Sequence, residues 1–317
     1  MPILGRGTVQ ADSSCLSPTN PDAAPPSDFV PLTATDTELR CYGFPPRPTN
    51  PQVLQGWQTA MSHAKQWVPV GESGSYTTPP EPAATAVPPA GGLPNSNWAG
   101  KIVYASDQND AGLYWDDVSS YWTVVQPHQN DAYGFYQWVG FGGSNGSTIL
   151  NQDGTFTCDS GQPCNGAPRA YTFWYYNTTQ GGGVKWQTSP AVSGGDSVYA
   201  EANFNGNTAT SISFFLENIT TGQYHTYADN NVQIDGSSAD WIFENPYYAT
   251  AQPGFNTALY YSTSVAGNDR NGSVSGSDDD FLNTLAYIYL NGTTNIYAYP
   301  YTTVNGSFHV CYKAFTC

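Results

Sequence analysis

Several short runs in this chain carry residue types associated with hydrolysis or metal binding. Gly142-Gly143-Ser144-Asn145-Gly146 has the spacing of a serine-nucleophile turn. That turn joins a strand to a helix and needs a histidine and an acid beside it. Here the run sits in Gly/Ser-rich, strand-type sequence, in a chain with four His, so a serine nucleophile is set aside. Asp159-Ser160-Gly161 has the wording of an aspartic-protease loop, yet no second copy occurs. Two carboxylates sharing one proton are what that chemistry requires. Asp278-Asp279-Asp280 offers oxygens to calcium, although such runs are more often solvated loop tips. His63, His128, His225 and His309 are scattered and no Cys-x-x-Cys occurs, so no metal is expected.

A different pattern is carried by many segments together. Asn97-Trp98-Ala99-Gly100 is followed by Trp138-Val139-Gly140-Phe141-Gly142-Gly143 and by Leu150-Asn151-Gln152-Asp153-Gly154. Phe173-Trp174-Tyr175, Gly195-Asp196-Ser197-Val198 and Leu216-Glu217-Asn218-Ile219-Thr220-Thr221-Gly222 come next, then Ala239-Asp240-Trp241-Ile242-Phe243-Glu244-Asn245-Pro246. In this order and spacing the series, from about Asn97 to Cys317, resembles the glutamic peptidases of the G1 family, the eqolisins. The stretch Glu38-Leu39-Arg40-Cys41-Tyr42-Gly43-Phe44-Pro45-Pro46-Arg47-Pro48, with a helix after it, is similar to the leader that precedes such domains in bacterial relatives.

The resemblance implies an endopeptidase that needs no cofactor, acts on polypeptide substrates in acid and is insensitive to pepstatin. It assigns catalysis to Gln152 and Glu244. A glutamate can take a proton from water and return it to the leaving amine. A glutamine amide offers a donor and an acceptor, so it can hold that water and then stabilise the oxyanion. Trp138 matches the family's tryptophan, and its indole N–H would orient substrate or intermediate; the bland reading is a core tryptophan. Trp98, Tyr176 and Asp240 are candidates to line the cleft. A carboxylate of ordinary acidity as the base implies an acid optimum. Two departures weaken the electrostatic match: Tyr176 stands where the family commonly has Glu, and Gly142 where some members have Asp.

The elements that would hold this pair are strands. The chain has 317 residues with 23 Tyr, 9 Trp and 32 Gly, which favours strands and turns. Short alternating runs begin at Asn97, for example Val198, Ala200, Ala202 and Phe204, or Phe308, Val310 and Tyr312. They predict an all-β antiparallel sandwich or barrel. The resemblance narrows this to a β-sandwich of two curved sheets, of the concanavalin-like or jelly-roll type, with substrate across an open concave face. Alternation in Asp240-Trp241-Ile242-Phe243-Glu244 puts Trp241 and Phe243 on one face. If those aromatics fill the core, Glu244 projects to the cleft with Asp240.

Three segments are expected: a mostly irregular, propeptide-like segment at 1–70, a Pro/Gly-rich linker at 71–96 and the sandwich at 97–317. Leu54, Trp57, Met61 and Ala64 form one apolar stripe, which predicts a single short helix at about 51–67. Residues 1–96 carry net charge −3 and residues 97–317 carry −13, so bulk charge does not explain masking of the domain by its leader. Arg40, Arg47 or Lys65 remain as local contacts to the cleft.

Six cysteines suit an oxidising compartment, and pairing within neighbourhoods predicts Cys15–Cys41, Cys158–Cys164 and Cys311–Cys317. Asn145, Asn177, Asn218, Asn271, Asn291 and Asn305 sit in glycosylation sequons. A secreted, extracellular protein follows, although Met1-Pro2-Ile3-Leu4-Gly5-Arg6 has no apolar signal core. The formal charge of −16 with only nine basic residues excludes a nucleic-acid partner. No apolar run is long enough to span a membrane. Two alternatives share the fold: a carbohydrate-binding sandwich, and a self-assembling homo-oligomer or filament in which the N-terminal segment is an assembly arm instead of an inhibitor.

Overall fold

The computed structural model describes residues 15, 24–69, 94–95, 98–108, 112–126, 134–144, 146–158, 169–178, 183–206, 209–245, 255, 257–268, 273–281, 283–289, 296–304, 306–313 and 317. Its body is a β-sandwich. The first sheet runs in the order Thr284–Tyr289, Trp98–Tyr104, Ser238–Glu244, Gly134–Gly142, Leu150–Cys158, Arg169–Thr178 and Gly183–Gln187, all antiparallel. The second runs Gln223–Asn230, Ser211–Asn218, Ser197–Phe204, Tyr114–Thr123, Ala258–Asn268, Ser307–Tyr312 and Ile296–Val304, also antiparallel. Thr284–Tyr289 pairs at one end with Trp98–Tyr104 and at the other with Ile296–Val304, so one strand stitches the sheets together.

Alternate residues of both sheets meet between them. Val118, Trp122, Val198, Ala200, Ile212, Phe214 and Leu216 face Ala99, Val103, Phe135, Val139, Phe141, Trp241 and Phe243 in one buried cluster. The Trp241 indole N–H donates to the Ser119 carbonyl at 2.9 Å and the Tyr260 hydroxyl to the Ile242 carbonyl at 2.6 Å. These buried donors tie one sheet to the other and fix their relative position.

The N-terminal segment carries two helices where one was expected. In α1 (Asp36–Cys41) Thr35 and Glu38 form a reciprocal capping box, which satisfies two otherwise unpaired N–H groups of this short helix. The expected helix is α2 (Pro51–His63). It stops before 67, because Gln66–Trp67 pair in parallel with Gln223–Tyr224 and extend the edge of the second sheet. Leu39, Tyr42, Phe44, Trp57, Ala60 and Met61 pack on Tyr121, Tyr199, Phe215 and Tyr224, the outer face of that sheet. The Tyr121 hydroxyl donates to the Gly56 carbonyl at 2.7 Å. No described helix is long and apolar enough to cross a membrane.

Cys15 is bonded to Cys41 and Cys311 to Cys317, as expected. Cys158 is also disulfide-bonded; Cys164, its expected partner, lies outside the described residues. In the acidic run 278–280 Asp280 is exposed, but Asp278 is buried and Asp279 nearly so, and these two are held by a lysine. Buried Lys101 is ion-paired to Asp278 and, at 2.7 Å, to Asp279. Thr263 donates to Asp278, and the Gly306 N–H to Asp279 at 2.7 Å. Among the described residues no group of His, Cys, Asp and Glu is placed to hold a metal. Removing one partner of a buried pair leaves the other charge uncompensated, at a cost of about 3–5 kcal/mol. Lys101→Met is expected to lower unfolding stability at pH 7 by about that amount in urea titration. A change below about 1 kcal/mol would show the pair to be dispensable.

Candidate active site

The outer face of the first sheet, opposite the core, carries Trp98, Ile102, Tyr104, Tyr136, Trp138, Leu150, Phe156 and Ile242. Period two puts Asp240 and Glu244 on the same face as Ile242, since Trp241 and Phe243 are in the core. Gln152 joins them through register. Asp240 is opposite Gly140 on the central strand, and Gly140 is opposite Gln152 on the next. Ile242 is likewise opposite Trp138, and Glu244 opposite Tyr136. Trp138 therefore stands on the strand between the two proposed catalytic residues, and Gly140 between Gln152 and Asp240. A side chain at 140 has no room, because its Cβ would collide with the Asn151 carbonyl oxygen and stand 2.9 Å from Gln152 Cβ.

Glu244 is held by the tryptophans. The Trp138 Nε1–H donates to Glu244 Oε2 at 2.8 Å. Trp98 packs edge-on against Trp138, with ring centroids 5.0 Å apart and planes at 80°, and also hydrogen-bonds the carboxyl. Burial nevertheless dominates and pushes Glu244 up to about 8, against the pull of both indoles. Glu244 Oε1, both polar atoms of the Gln152 amide and Asp240 Oδ1 are buried without a hydrogen-bond partner. An unmet buried polar group costs roughly 1–3 kcal/mol. These four atoms lie on one face of one sheet, where each suits a water molecule or a substrate peptide group.

Three expectations need correction here. The pair is not in an open trough, because Gln152 and Glu244 are both 0% exposed. Glu244 is not of ordinary acidity, for the desolvation just given. Trp138 does not have its N–H free for substrate, since an indole has one donor and Glu244 accepts it; it positions the carboxylate. Trp98 touches the same carboxyl. Tyr176 lies on the Arg169–Thr178 strand, and its side chain is outside what is described.

Gly142 has φ +78°, and a Cβ there would collide with the Ile149 carbonyl oxygen. This backbone excludes the aspartate found at that position in some family members. Ser238 was not among the residues singled out from the sequence. It stands two places before Asp240 on the same face, accepts from the Gly142 N–H at 3.2 Å and donates to Asp240 Oδ2 at 3.4 Å. Its signal was the alternation already used for Glu244.

Arg40, Arg47 and Lys65 do not reach this face. They belong to the segment packed on the outer side of the other sheet, across the whole core from Glu244. Asn218 is also a correction: it is 0% exposed, and its amide donates to the Ala191 carbonyl and to Asp196, each at 2.8 Å. A glycan has no access to it. Asn145, Asn271, Asn291 and Asn305, and the side chain of Asn177, lie outside the described residues.

Comparison with known proteins adds the following. Residues 96–312 match a family described as the Peptidase A4 family. No curated protein matches the chain significantly. Among solved structures, scytalido-glutamic peptidase bound to a transition-state analogue inhibitor is similar at 22% identity and a TM-score of 0.50, over 69% of this chain and 98% of that one. SCP-B, described as a member of the eqolisin family and bound to the tripeptide Ala-Ile-His, matches at 21% identity and a TM-score of 0.48, over 69% and 98%. Aspergilloglutamic peptidase from Aspergillus niger matches at 21% identity and a TM-score of 0.42, over 57% and 99%. The first of these likenesses shows the fold, a β-sandwich of two sheets.

Proposed function

The chain belongs to the peptidase A4 family, and from that premise we propose that it is an exported endopeptidase in which Glu244 and Gln152 act on one water molecule. The observation that carries this reading is the set of partnerless buried atoms, Glu244 Oε1 and both ends of the Gln152 amide, on one face of one sheet. In the reaction, ionised Glu244 takes a proton from water, and the water oxygen attacks the peptide carbonyl carbon. The Gln152 Nε2–H donates to the oxygen that becomes negative. Protonated Glu244 then passes its proton to the amide nitrogen, the C–N bond breaks, and the acid and amine leave. Trp138 and Trp98 hold the carboxyl in one orientation throughout, which supplies the positioning such a reaction needs.

Residues 24–69 are read as a brace on the second sheet. They bury Phe44, Trp57 and Met61 there and leave the pair to be covered from its own side. Polypeptide access therefore requires the outer face of the first sheet to open. Export is favoured by the bonded cysteines, which persist in oxidising compartments.

Gln152→Ala is the direct test. Removing one oxyanion donor lowers kcat by roughly 10²–10³-fold, with the β-sheet circular dichroism unchanged. Cleavage of a denatured protein substrate across pH 2–9, followed by release of amino termini, reads it. Equal cleavage by Gln152→Ala and the unaltered chain removes the amide from the chemistry.

A further inference from the structure

The Gln152 amide raises a question of orientation. Its two ends, a donor and an acceptor, occupy nearly the same space when the group is flipped. Neither end has a protein partner, so nothing attached to Gln152 itself selects the flip that presents N–H. Catalysis as proposed needs that flip and is blocked by the other.

The polar group in register with Gln152 is Asp240. The two lie on strands either side of Gly140, about 10 Å apart at Cα by the spacing of neighbouring strands. Gly140 has no side chain to separate them and no room for one. Asp240 is 0% exposed. Its Oδ2 end is held by Ser238, whose hydroxyl also meets that of Ser144 at 3.0 Å. Its Oδ1 end has no partner. Two partnerless buried groups thus flank one glycine-floored gap, and the longer Gln arm and shorter Asp arm span it directly or through one water.

We propose that Asp240 is a positioning residue for Gln152: its carboxylic acid O–H donates to Gln152 Oε1, directly or through one water, and so turns the amide N–H toward the reacting carbonyl. The inference rests on the assignment of Gln152 to the oxyanion. It also makes the amide a switch. An ionised Asp240 is an acceptor only; it would draw the N–H to itself and present the carbonyl end to substrate, which repels the oxyanion.

The surroundings keep the acid form. Burial holds Asp240 well above the usual carboxylate range against the pull of the Ser238 hydroxyl, and Asp235 adds a smaller push the same way. Tyr104, on the neighbouring strand, is itself pushed up to about 12, chiefly by burial and in part by Asp240. Glu244 is on the same face of the same strand, and Lys101 on the adjacent strand turns the other way, to Asp278. Among the described residues no cation faces Asp240.

The test compares the unaltered chain with Asp240→Asn and Asp240→Ala, using Gln152→Ala and Glu244→Gln as controls. Asn keeps a donor N–H and cannot ionise. Asp240→Ala is expected to lower kcat by roughly 10–100-fold with KM within about threefold, the pattern of a contact that matters only in the transition state. Asp240→Asn should stay within about fivefold of the unaltered kcat in acid and should lose the alkaline limb of the kcat–pH profile. A second readout needs no turnover. The side-chain amide NMR signal of Gln152, identified by its loss in Gln152→Ala, should move with pH in the unaltered chain and stay still in Asp240→Asn.

An unaltered kcat and alkaline limb in Asp240→Ala would overturn the proposal. So would equal loss of kcat and melting temperature in both Asp240 variants, which marks a structural role. If Gln152→Ala and Glu244→Gln turn out as active as the unaltered chain, the catalytic assignment itself has failed. The NMR titration then decides whether Asp240 orients the amide at all, and a signal indifferent to Asp240 ends that claim too.

Discussion

Glu244→Gln is expected to abolish peptide cleavage, with kcat reduced by roughly 10³-fold or more, while the chain folds and melts as before. The substitution keeps the volume of the side chain and an oxygen that can accept the Trp138 N–H at the place where Oε2 now accepts it. What it removes is the capacity to take and return a proton, and general acid–base transfer of that kind is worth roughly 10²–10⁴-fold. The pH dependence carries the sharper test. Glu244 must be ionised to act as the base, so the rate rises with pH through its pKa. In the buried state that pKa is pushed up to about 8 by desolvation, and the carboxyl is then mostly protonated in acid. When substrate or solvent opens the face, the desolvation that causes the shift is relieved and the limb moves toward the ordinary carboxylate value near 4.3. The position of the acid limb in a kcat/KM profile therefore measures how wet the free site is. An acid limb that survives unchanged in Glu244→Gln would assign it to another group and take the base role away from Glu244.

The sandwich and the facing of its strands are legible in the residues. In Asp240-Trp241-Ile242-Phe243-Glu244 the period of two is enough to separate the face holding Trp241 and Phe243 from the face holding Glu244, and the core contains both aromatics. What alternation does not carry is register between strands. That Asp240 shares a line with Gln152, and Glu244 with Tyr136, depends on loop lengths and on the glycines that let backbones approach. Lys101 was equally hidden. Its partners are 177 and 178 residues away, and an acidic run reads from local sequence only as a solvated tip. The N-terminal segment shows the same limit in another form. Its apolar stripe predicts a helix, but the tyrosine-rich surface that receives it is assembled from four distant strands. Neither that docking face nor the burial of the proposed catalytic pair has a local signature.

The many acids buried in this sandwich predict an acid-stable fold, with a melting temperature expected to fall by roughly 10 °C or more between pH 4 and pH 9. Asp116 is pushed up to about 6, Asp117 to about 7, Glu244 to about 8 and Glu217 to about 9, each first by burial. Asp153 and Glu201 are raised well above the usual range by the same cause. A carboxyl whose folded pKa lies above its unfolded value holds its proton longer in the folded state. Its contribution is complete below about pH 4, where both states are protonated, and is lost as pH rises through the folded value. Each such group costs about 1.4 kcal/mol per pH unit over that window, and in a domain of this size 1 kcal/mol is worth roughly 2–4 °C. His225, lowered to about 4 by burial, runs the other way: its contribution is complete above about 6.5 and is lost as pH falls through 4. It is one group against many.

Glu217 is where the fold is expected to yield first as pH rises. It is 0% exposed, neither oxygen has a partner, and Lys65 gives it only a weak opposing pull. Tyr121 and Tyr224 face it and are raised, first by burial and then by its charge. These tyrosines are the surface on which residues 24–69 are packed. Undocking that segment hydrates Glu217 without unfolding the sandwich, so it limits the cost of ionisation to the free energy of the local opening. As pH rises past neutrality, hydrogen exchange and proteolytic cleavage within 24–69 should accelerate before the melting of the core strands. Glu217→Gln, which cannot ionise, should restore protection of the segment at pH 8 and change nothing at pH 4. A melting temperature that is flat or rising from pH 4 to 9 would refute the account. A Glu217→Gln chain whose segment opens at the same pH as before would place the weak point elsewhere, with the Asp117–Glu201 pair on the same face the next group to replace.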